Sequence, residues 1–207
     1  MTESFVTEPG PADLHAWHVL RPLLDWRPYL PFSSGSMRVS GLVHLCNTIV
    51  HSEPAEVVEC GAGVSTIVLA RLLAERGTGR ITALEHDARW AEVVGRQIAA
   101  ESLARVSRVI HAPLDDGWYD DDGVAGLPDA IDLLIVDGPP ADSAELALAR
   151  RPALDRLASR LGPGAVVVLD DIGRAGEQAV LAQWEETTDW SFERMPEEAI
   201  AVGRRPR

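Results

Sequence analysis

Val57-Val58-Glu59-Cys60-Gly61-Ala62-Gly63-Val64-Ser65-Thr66 decides how this chain folds. Its apolar start reads as a buried strand that ends in an acid. Gly61 and Gly63 then make a tight turn, because glycine permits positive φ and a close backbone approach. Ser65 and Thr66 open a helix. A second apolar strand, Ile81 to Leu84, follows and ends in Glu85-His86-Asp87. A glycine turn at a helix N-terminus, with a carboxylate closing the next strand, is a nucleoside-binding arrangement. The third glycine of the dinucleotide fingerprint is absent, since Thr66 stands there. Close packing on a pyrophosphate is therefore disfavoured, and a ligand without phosphates fits better.

The same alternation extends in both directions. Helical spacing of Leu14, Trp17, Leu20 and Leu24 predicts a first helix, which Pro28, Pro31 and the stretch Ser33-Ser34-Gly35-Ser36 end. Residues 1–11 read as a frayed start. Leu42, Leu45, Cys46, Ile49 and Val50 mark a second helix. Strands are expected at 56–60, 81–85, 107–112, 131–136 and 165–169. Helices are expected at 65–76, around Trp90–Ile98, near 143–149, near 152–160 and around Val180–Trp184. The first-strand apolar runs are continuous rather than alternating, which means a parallel sheet covered on both faces. Residues 190–194 and 199–203 read instead as an antiparallel hairpin. The fold class is thus α/β: a Rossmann-like, seven-stranded, mostly parallel sheet, helices on both faces and a C-terminal antiparallel hairpin. Residues 1–39 form an N-terminal helical extension or lid, and 40–207 the nucleoside-binding domain. The acidic stretch 115–123 reads as an irregular, solvated loop.

The 207 residues suit one domain of ordinary globular composition. A net charge of -13 argues against nucleic acid as a partner, because phosphates need a basic face, and against anionic membranes. No leader or membrane span is expected, which points to the cytoplasm. Cys46 and Cys60 read as small buried residues rather than a disulfide. All 19 basic residues are arginine, so no lysine is available as a base.

Ligands of parallel sheets bind beyond the carboxyl ends of the strands. Glu59, Glu85, Asp137 and the pair Asp170-Asp171 all fall there. So do Gly61, Gly63 and the turn Gly138-Pro139-Pro140. Glu85 is placed to accept hydrogen bonds from a ribose diol. Asp171 has a second reading as a helix N-cap, with Arg174 and Glu177 pairing along the first turns. His15 and His18 lie on the first helix, where they could close over the site. His111 reads as a hydrogen-bonded core residue, and His44 and His51 as surface positions.

Glu59-Cys-Gly-Ala-Gly-Val-Ser65, Leu84-Glu85-His86-Asp87 and Val136-Asp137-Gly-Pro-Pro140 resemble the motifs of class I S-adenosylmethionine-dependent methyltransferases. The segment Leu169 to Glu177, followed by Trp184, is similar to a group of small bacterial members. The resemblance spans about residue 36 to residue 205. It implies S-adenosylmethionine as cofactor, with Glu59 orienting its methionine end and Gly61, Gly63 and Ser65 against its backbone. It implies Glu85 on the ribose, His86 near the adenine, and Leu114, helped by Trp118, packed on the ring. Asp137 would lie nearest the transferred methyl group, with Asp137 and Asp170 as catalytic carboxylates. The more distantly similar catechol-type O-methyltransferases bind Mg²⁺ through an Asp after the fourth strand and an Asp-Asn pair after the fifth. Asp137, Asp170 and Asp171 are their counterparts, so Mg²⁺ is a second cofactor to test. Two departures weaken that parallel: Asp171 replaces the Asn, and Pro140 replaces the catalytic lysine. The implied activity is methyl transfer to a small-molecule acceptor, with oxygen favoured over nitrogen. A nicotinamide-dependent oxidoreductase and a non-catalytic binding protein of the same fold remain as alternatives. The N-terminal helices also offer a surface for a homodimer.

Overall fold

In a computed structural model the structure describes residues 10–32 and 35–205. The expected frayed start therefore lies, for residues 1–9, outside the described residues, as do Ser33 and Ser34. The chain runs α1 (Pro11–Leu24), α2 (Val39–Ser52), β1 (Glu56–Cys60), α3 (Val64–Arg76), β2 (Arg80–Glu85), α4 (Ala88–Ala100) and β3 (Ser107–His111). It continues through β4 (Leu114–Asp115), β5 (Trp118–Tyr119), α5 (Asp121–Ala125), β6 (Ile131–Val136), α6 (Pro152–Leu157) and β7 (Leu161–Leu169). It ends with α7 (Ala175–Thr187), β8 (Ser191–Met195) and β9 (Ile200–Arg204). Seven strands form one sheet in the order β3-β2-β1-β6-β7-β9-β8. The first five are parallel, and β9 runs antiparallel to both β7 and β8. Strand order reverses direction at β1, so a crevice opens between the carboxyl ends of β1 and β6.

Successive strand residues face opposite layers, and both layers are apolar. Val57, Ile81, Leu133 and Val168 pack under α1–α4, while Val58, Leu84, Leu134 and Val167 pack under α6 and α7. That two-sided burial is why the strands read as continuous apolar runs. Glu59 shares the face of Val57 and so points at the start of α3. Helix α3 stops at Gly77, whose φ of 70° closes the last turn through a bond from its N–H to the Leu73 carbonyl. Among the described residues, no helix is long and apolar enough to cross a membrane.

Several expectations need correction. Residues 143–149 are not a helix but successive turns with i→i−3 bonds, such as Ala149 N–H to the Leu146 carbonyl. Good helix formers are overruled there because the backbone of Ala147 lies hard against Gly176 in α7, where a Cβ would come 2.3 Å from the Ala147 oxygen. Residues 152–160 split into α6 and a 3₁₀ turn over Ala158–Arg160. The 115–123 stretch is ordered: β4 and β5 pair, burying Trp118 and Tyr119, and Asp120 caps α5. His111 is exposed, because β3 is an edge strand. The buried stripe of α1 is Asp13, Ala16, Leu20 and Leu23, and Leu14 is exposed. Apolar spacing could not reveal this, since Asp13 joins the stripe by bonding Arg38 and Ser40.

Arg71 on α3 ties the N-terminal segment to the layer over the sheet. Arg71 is fully buried, makes two 2.7 Å bonds to Glu101, and donates to the carbonyls of Leu23 and Pro28. Removing one partner of such a pair strands the other charge. Arg71→Met is expected to lower unfolding free energy by about 3–5 kcal/mol, read by urea denaturation. A change under about 0.5 kcal/mol would contradict this account of the Arg71 contacts.

Candidate active site

The crevice beyond β1 and β6 is a cavity of about 390 Å³, the size class of small-ligand sites. Its walls include Met37, Gly61 to Ser65, Glu85 to Asp87, Trp90, Tyr119, Asp137, Gly138, Arg150 and Asp171. Gly61 has φ 92° and crosses Gly138 so closely that a Cβ would stand 3.2 Å from the Gly138 nitrogen. That conformation needs glycine. Gly63 differs from expectation: its φ of -177° is ordinary extended backbone, and a Cβ there would meet nothing within 4 Å. Its missing side chain leaves open space on the cavity wall.

Glu85 is buried and holds the turn together. Its carboxylate accepts the Ala62 N–H at 3.1 Å and the Asp87 N–H at 2.8 Å, and His86 Nδ1 lies 2.9 Å from it. Trp90, on the first turn of α4, donates from Nε1 to the Ala62 carbonyl at 2.7 Å. Glu59 lies behind the turn rather than on the cavity wall. It accepts from the Ser65 and Thr66 hydroxyls at 2.5 Å each, and Thr66 Oγ1 accepts the Gly63 N–H at 2.9 Å. Thr66, which stands where a third glycine was absent, is thus the brace of the turn.

Other candidates fall elsewhere. Leu114 is 39% exposed on β4 and Trp118 is buried against Tyr119, and neither lines the cavity. His15 and His18 are exposed on α1 and do not reach it. Asp170 is buried beneath it. Tyr119 and Arg150 line it but were not expected. The Tyr119 hydroxyl is buried without a hydrogen-bond partner among the described residues, and a Cβ on Gly138 would come 2.6 Å from it. The signal for Tyr119 was an aromatic pair inside an acidic run. Arg150 gave no signal, because the acids around it are distant in sequence.

Arg150 is 3% exposed and sits among acids. Its Nη2 lies 3.0 Å from Asp171 Oδ2 and 3.4 Å from Asp137 Oδ1, and its Nη1 lies 3.5 Å from Glu177. It also donates to the carbonyls of Asp137 at 2.7 Å, Asp170 at 3.2 Å and Pro139 at 3.3 Å. Arg174 takes the same Asp171 oxygen at 2.8 Å. Oxygens of Asp137, Asp170 and Asp171 lie within 4.8 Å of one another, a spacing that suits a cation. Two of those carboxylates are nonetheless already paired with guanidinium groups. Magnesium needs near-ideal octahedral oxygens at ~2.0–2.1 Å, and a fixed positive charge inside that shell opposes it. The residues present do not fit the Mg²⁺ site.

Excess negative charge shows in the acid strengths. Burial, then the charge of Asp170, pushes Asp137 well above the usual carboxylate range. Burial, then Asp171, raises Asp170 from 3.8 to about 7. Burial raises Glu59 from 4.5 to about 7, against the hydroxyls of Ser65 and Thr66. The folded chain therefore keeps protons that the unfolded chain releases between about pH 4 and pH 7. Stability from these groups is full below that window and falls as pH rises through it. Wild type is expected to lose at least about 1 kcal/mol more than Asp170→Asn between pH 5 and pH 8, read by urea midpoints. The difference between the two proteins removes the opposing effect of His44, whose pKa burial lowers. Equal slopes would contradict the raised Asp170.

Among solved structures, the chain is similar to the S-adenosylhomocysteine-bound methyltransferase PaMTH1 of Podospora anserina. Identity is 13%, coverage is 96% of this chain and 89% of that one, and the TM-score is 0.68. It is similar to the O-methyltransferase TomG of Streptomyces achromogenes, involved in tomaymycin synthesis and solved with S-adenosylmethionine. There identity is 18%, coverage 99% and 93%, and TM-score 0.59. An O-methyltransferase of Bacillus cereus, in complex with S-adenosylhomocysteine, matches at 17% identity, 99% and 94% coverage and TM-score 0.59. At these identities the likeness establishes the fold. No curated protein matches by sequence. One family's sequence pattern, described as a methyltransferase domain, matches residues 58–172. That segment runs from within β1 through β7 and carries the glycine turn, Glu85, Asp137 and the Asp170-Asp171 pair, and on it the chain belongs to the methyltransferase-domain family.

Proposed function

We propose that this chain transfers a methyl group from S-adenosylmethionine to an oxygen of a small-molecule acceptor, in the cavity between β1 and β6. The observation that carries the reading is the glycine turn at the sheet's switch point, pinned to buried Glu85 on the neighbouring strand. The wall has an acidic balance: Glu85, Asp87, Asp137, Asp142 and Asp171 outnumber Arg150 and Arg174. Such a wall suits a sulfonium and an ammonium better than a pyrophosphate, which disfavours a nicotinamide dinucleotide. Oxygen as acceptor atom is supported by the likeness to the O-methyltransferases of Streptomyces achromogenes and Bacillus cereus.

When bound, the cofactor supplies an already activated methyl group, so the protein's task is alignment and proton removal. The open face of Gly63 and the backbone of Gly61 to Ser65 receive the methionine end. Glu59 acts through Ser65 and Thr66, holding that backbone still. Glu85 keeps a carboxylate edge toward the ribose hydroxyls, with His86 and Trp90 beside the adenine end. Asp137, at the cavity floor, takes the acceptor's proton, and buried Asp170 beside it shares the charge. A cavity of about 390 Å³ is in the size class of small-ligand sites, which favours a small-molecule acceptor.

The test is transfer of radiolabelled methyl from S-adenosylmethionine to a panel of phenols, alcohols, carboxylic acids and amines. Label in ethers or esters supports the reading. Label only in amines would move the acceptor atom to nitrogen. A folded protein that binds cofactor and labels nothing across the panel would favour the non-catalytic alternative.

A further inference from the structure

We propose that the guanidinium of Arg150 is the built-in cation of this active site, a positioning residue that takes the place of a divalent metal between Asp137 and Asp171. The inference rests on the site assignment above. Three observations carry it. Arg150 is almost fully buried, yet it reaches the cavity wall at the floor where Asp137 and Asp171 converge. It cannot swing aside, because the backbone carbonyls of Asp137, Pro139 and Asp170 hold Nη2, Nε and Nη1 respectively. Leaving would strand three buried carbonyls as well as the acids. Third, Asp171 spends one oxygen on two guanidinium groups, those of Arg150 and Arg174. A carboxylate at that position completes the ion pair, which a neutral amide would not.

Arg150 comes from the turn run after β6 that is pressed onto Gly176 at the start of α7. The irregular backbone at 143–149 therefore has a consequence: it delivers a fixed positive charge between the ends of β6 and β7. Its Nε, Nη1 and Nη2 each donate to protein oxygens, so the role of Arg150 is to orient Asp137 and Asp171. Acceptor activation then belongs to the carboxylates and proceeds without a metal.

Manganese binding followed by electron paramagnetic resonance tests this, with S-adenosylhomocysteine binding measured on the same samples. Wild type and Arg150→Lys are expected to leave the free Mn²⁺ signal unchanged. Arg150→Met, in which Asp137 and Asp170 lose their buried cation and Asp171 keeps only Arg174, is expected to bind Mn²⁺ roughly tenfold or more tighter than wild type. Its melting temperature should rise on adding Mn²⁺, while that of wild type should not. Should Arg150→Met fail to fold, wild type alone decides: methyl transfer and S-adenosylhomocysteine affinity unchanged in EDTA support the proposal. One Mn²⁺ bound per wild-type chain and lost in Asp137→Asn would overturn it. So would an Arg150→Met protein that folds and gains no Mn²⁺. The metal readout does not depend on cofactor binding, so failure of the methyltransferase reading would show separately, as silence toward S-adenosylhomocysteine.

Discussion

Replacing Glu85 by alanine is expected to weaken S-adenosylhomocysteine binding at least about a hundredfold, while the chain remains folded. Glu85 is the acceptor for the N–H groups of Ala62 and Asp87, with His86 Nδ1 2.9 Å away. Hydrogen bonds to a charged group contribute roughly 1.5–3 kcal/mol each, and the two backbone donors would be left without their partner. The turn carrying Gly61 to Gly63 would lose its tie to the end of β2, and the ribose would lose its carboxylate. Glu85→Gln separates the two effects. A neutral amide can still accept one bond, so the turn should survive while affinity falls by a smaller factor. Titration calorimetry checks both variants. Unchanged affinity in Glu85→Ala would remove Glu85 from the site.

The second large effect is at the glycine turn. Gly61→Val is expected to abolish measurable cofactor binding and to cost roughly 2–4 kcal/mol of stability. At φ 92° a β-branched residue is strained, and its Cβ would stand 3.2 Å from the Gly138 nitrogen and 3.3 Å from the Asp137 carbonyl carbon. Either the turn opens or the end of β6 moves, and Asp137 moves with it. Gly63→Ala is the informative partner. Its backbone is extended and its Cβ would meet no protein atom within 4 Å, so stability should change by less than about 0.5 kcal/mol. Affinity should still fall, because the methyl group takes space that the ligand needs. If Gly63→Ala binds as wild type does, the ligand does not lie against that turn.

The comparison of sequence with structure divides along physical lines. The central strands β2, β1, β6 and β7 were legible because each is apolar on both faces, and the terminal hairpin because its composition breaks that pattern. The turn from Glu59 to Ser65 was legible because short-range constraints (glycine, acid, helix start) sit in consecutive positions. What escaped depends on tertiary contact. Residues 143–149 carry helix-forming alanine, leucine and glutamate, yet packing on Gly176 overrides that preference. Asp13 is hidden in an apolar stripe because its partners Arg38 and Ser40 lie at the start of the next helix. Tyr119 was masked by the acids around it, and only its pairing with Leu114 turns it inward. Arg150 illustrates the limit most clearly. An arginine between two short helical stretches reads as a surface cation, and only the fold brings Asp137, Asp171 and Glu177 around it.

The same contrast applies within the candidate site. Gly61, Gly63, Ser65, Glu85, His86, Asp137 and Asp171 were expected there and line one cavity. Glu59 and Asp170 stand one layer behind it, and Leu114 stands away on β4. A motif gives the order of residues along the strands but not which of two successive side chains faces the crevice. Glu59 illustrates this, since it points along the α3 side of the sheet and meets Ser65 and Thr66 before it could meet a ligand.

The most direct test of the central claim is a calorimetric titration of wild type and Gly61→Val with S-adenosylhomocysteine. The account predicts one site per wild-type chain with micromolar affinity, and no binding heat for the variant. A folded wild-type chain that gives no heat, or a Gly61→Val chain that binds as well as wild type, would contradict a cofactor site at the glycine turn.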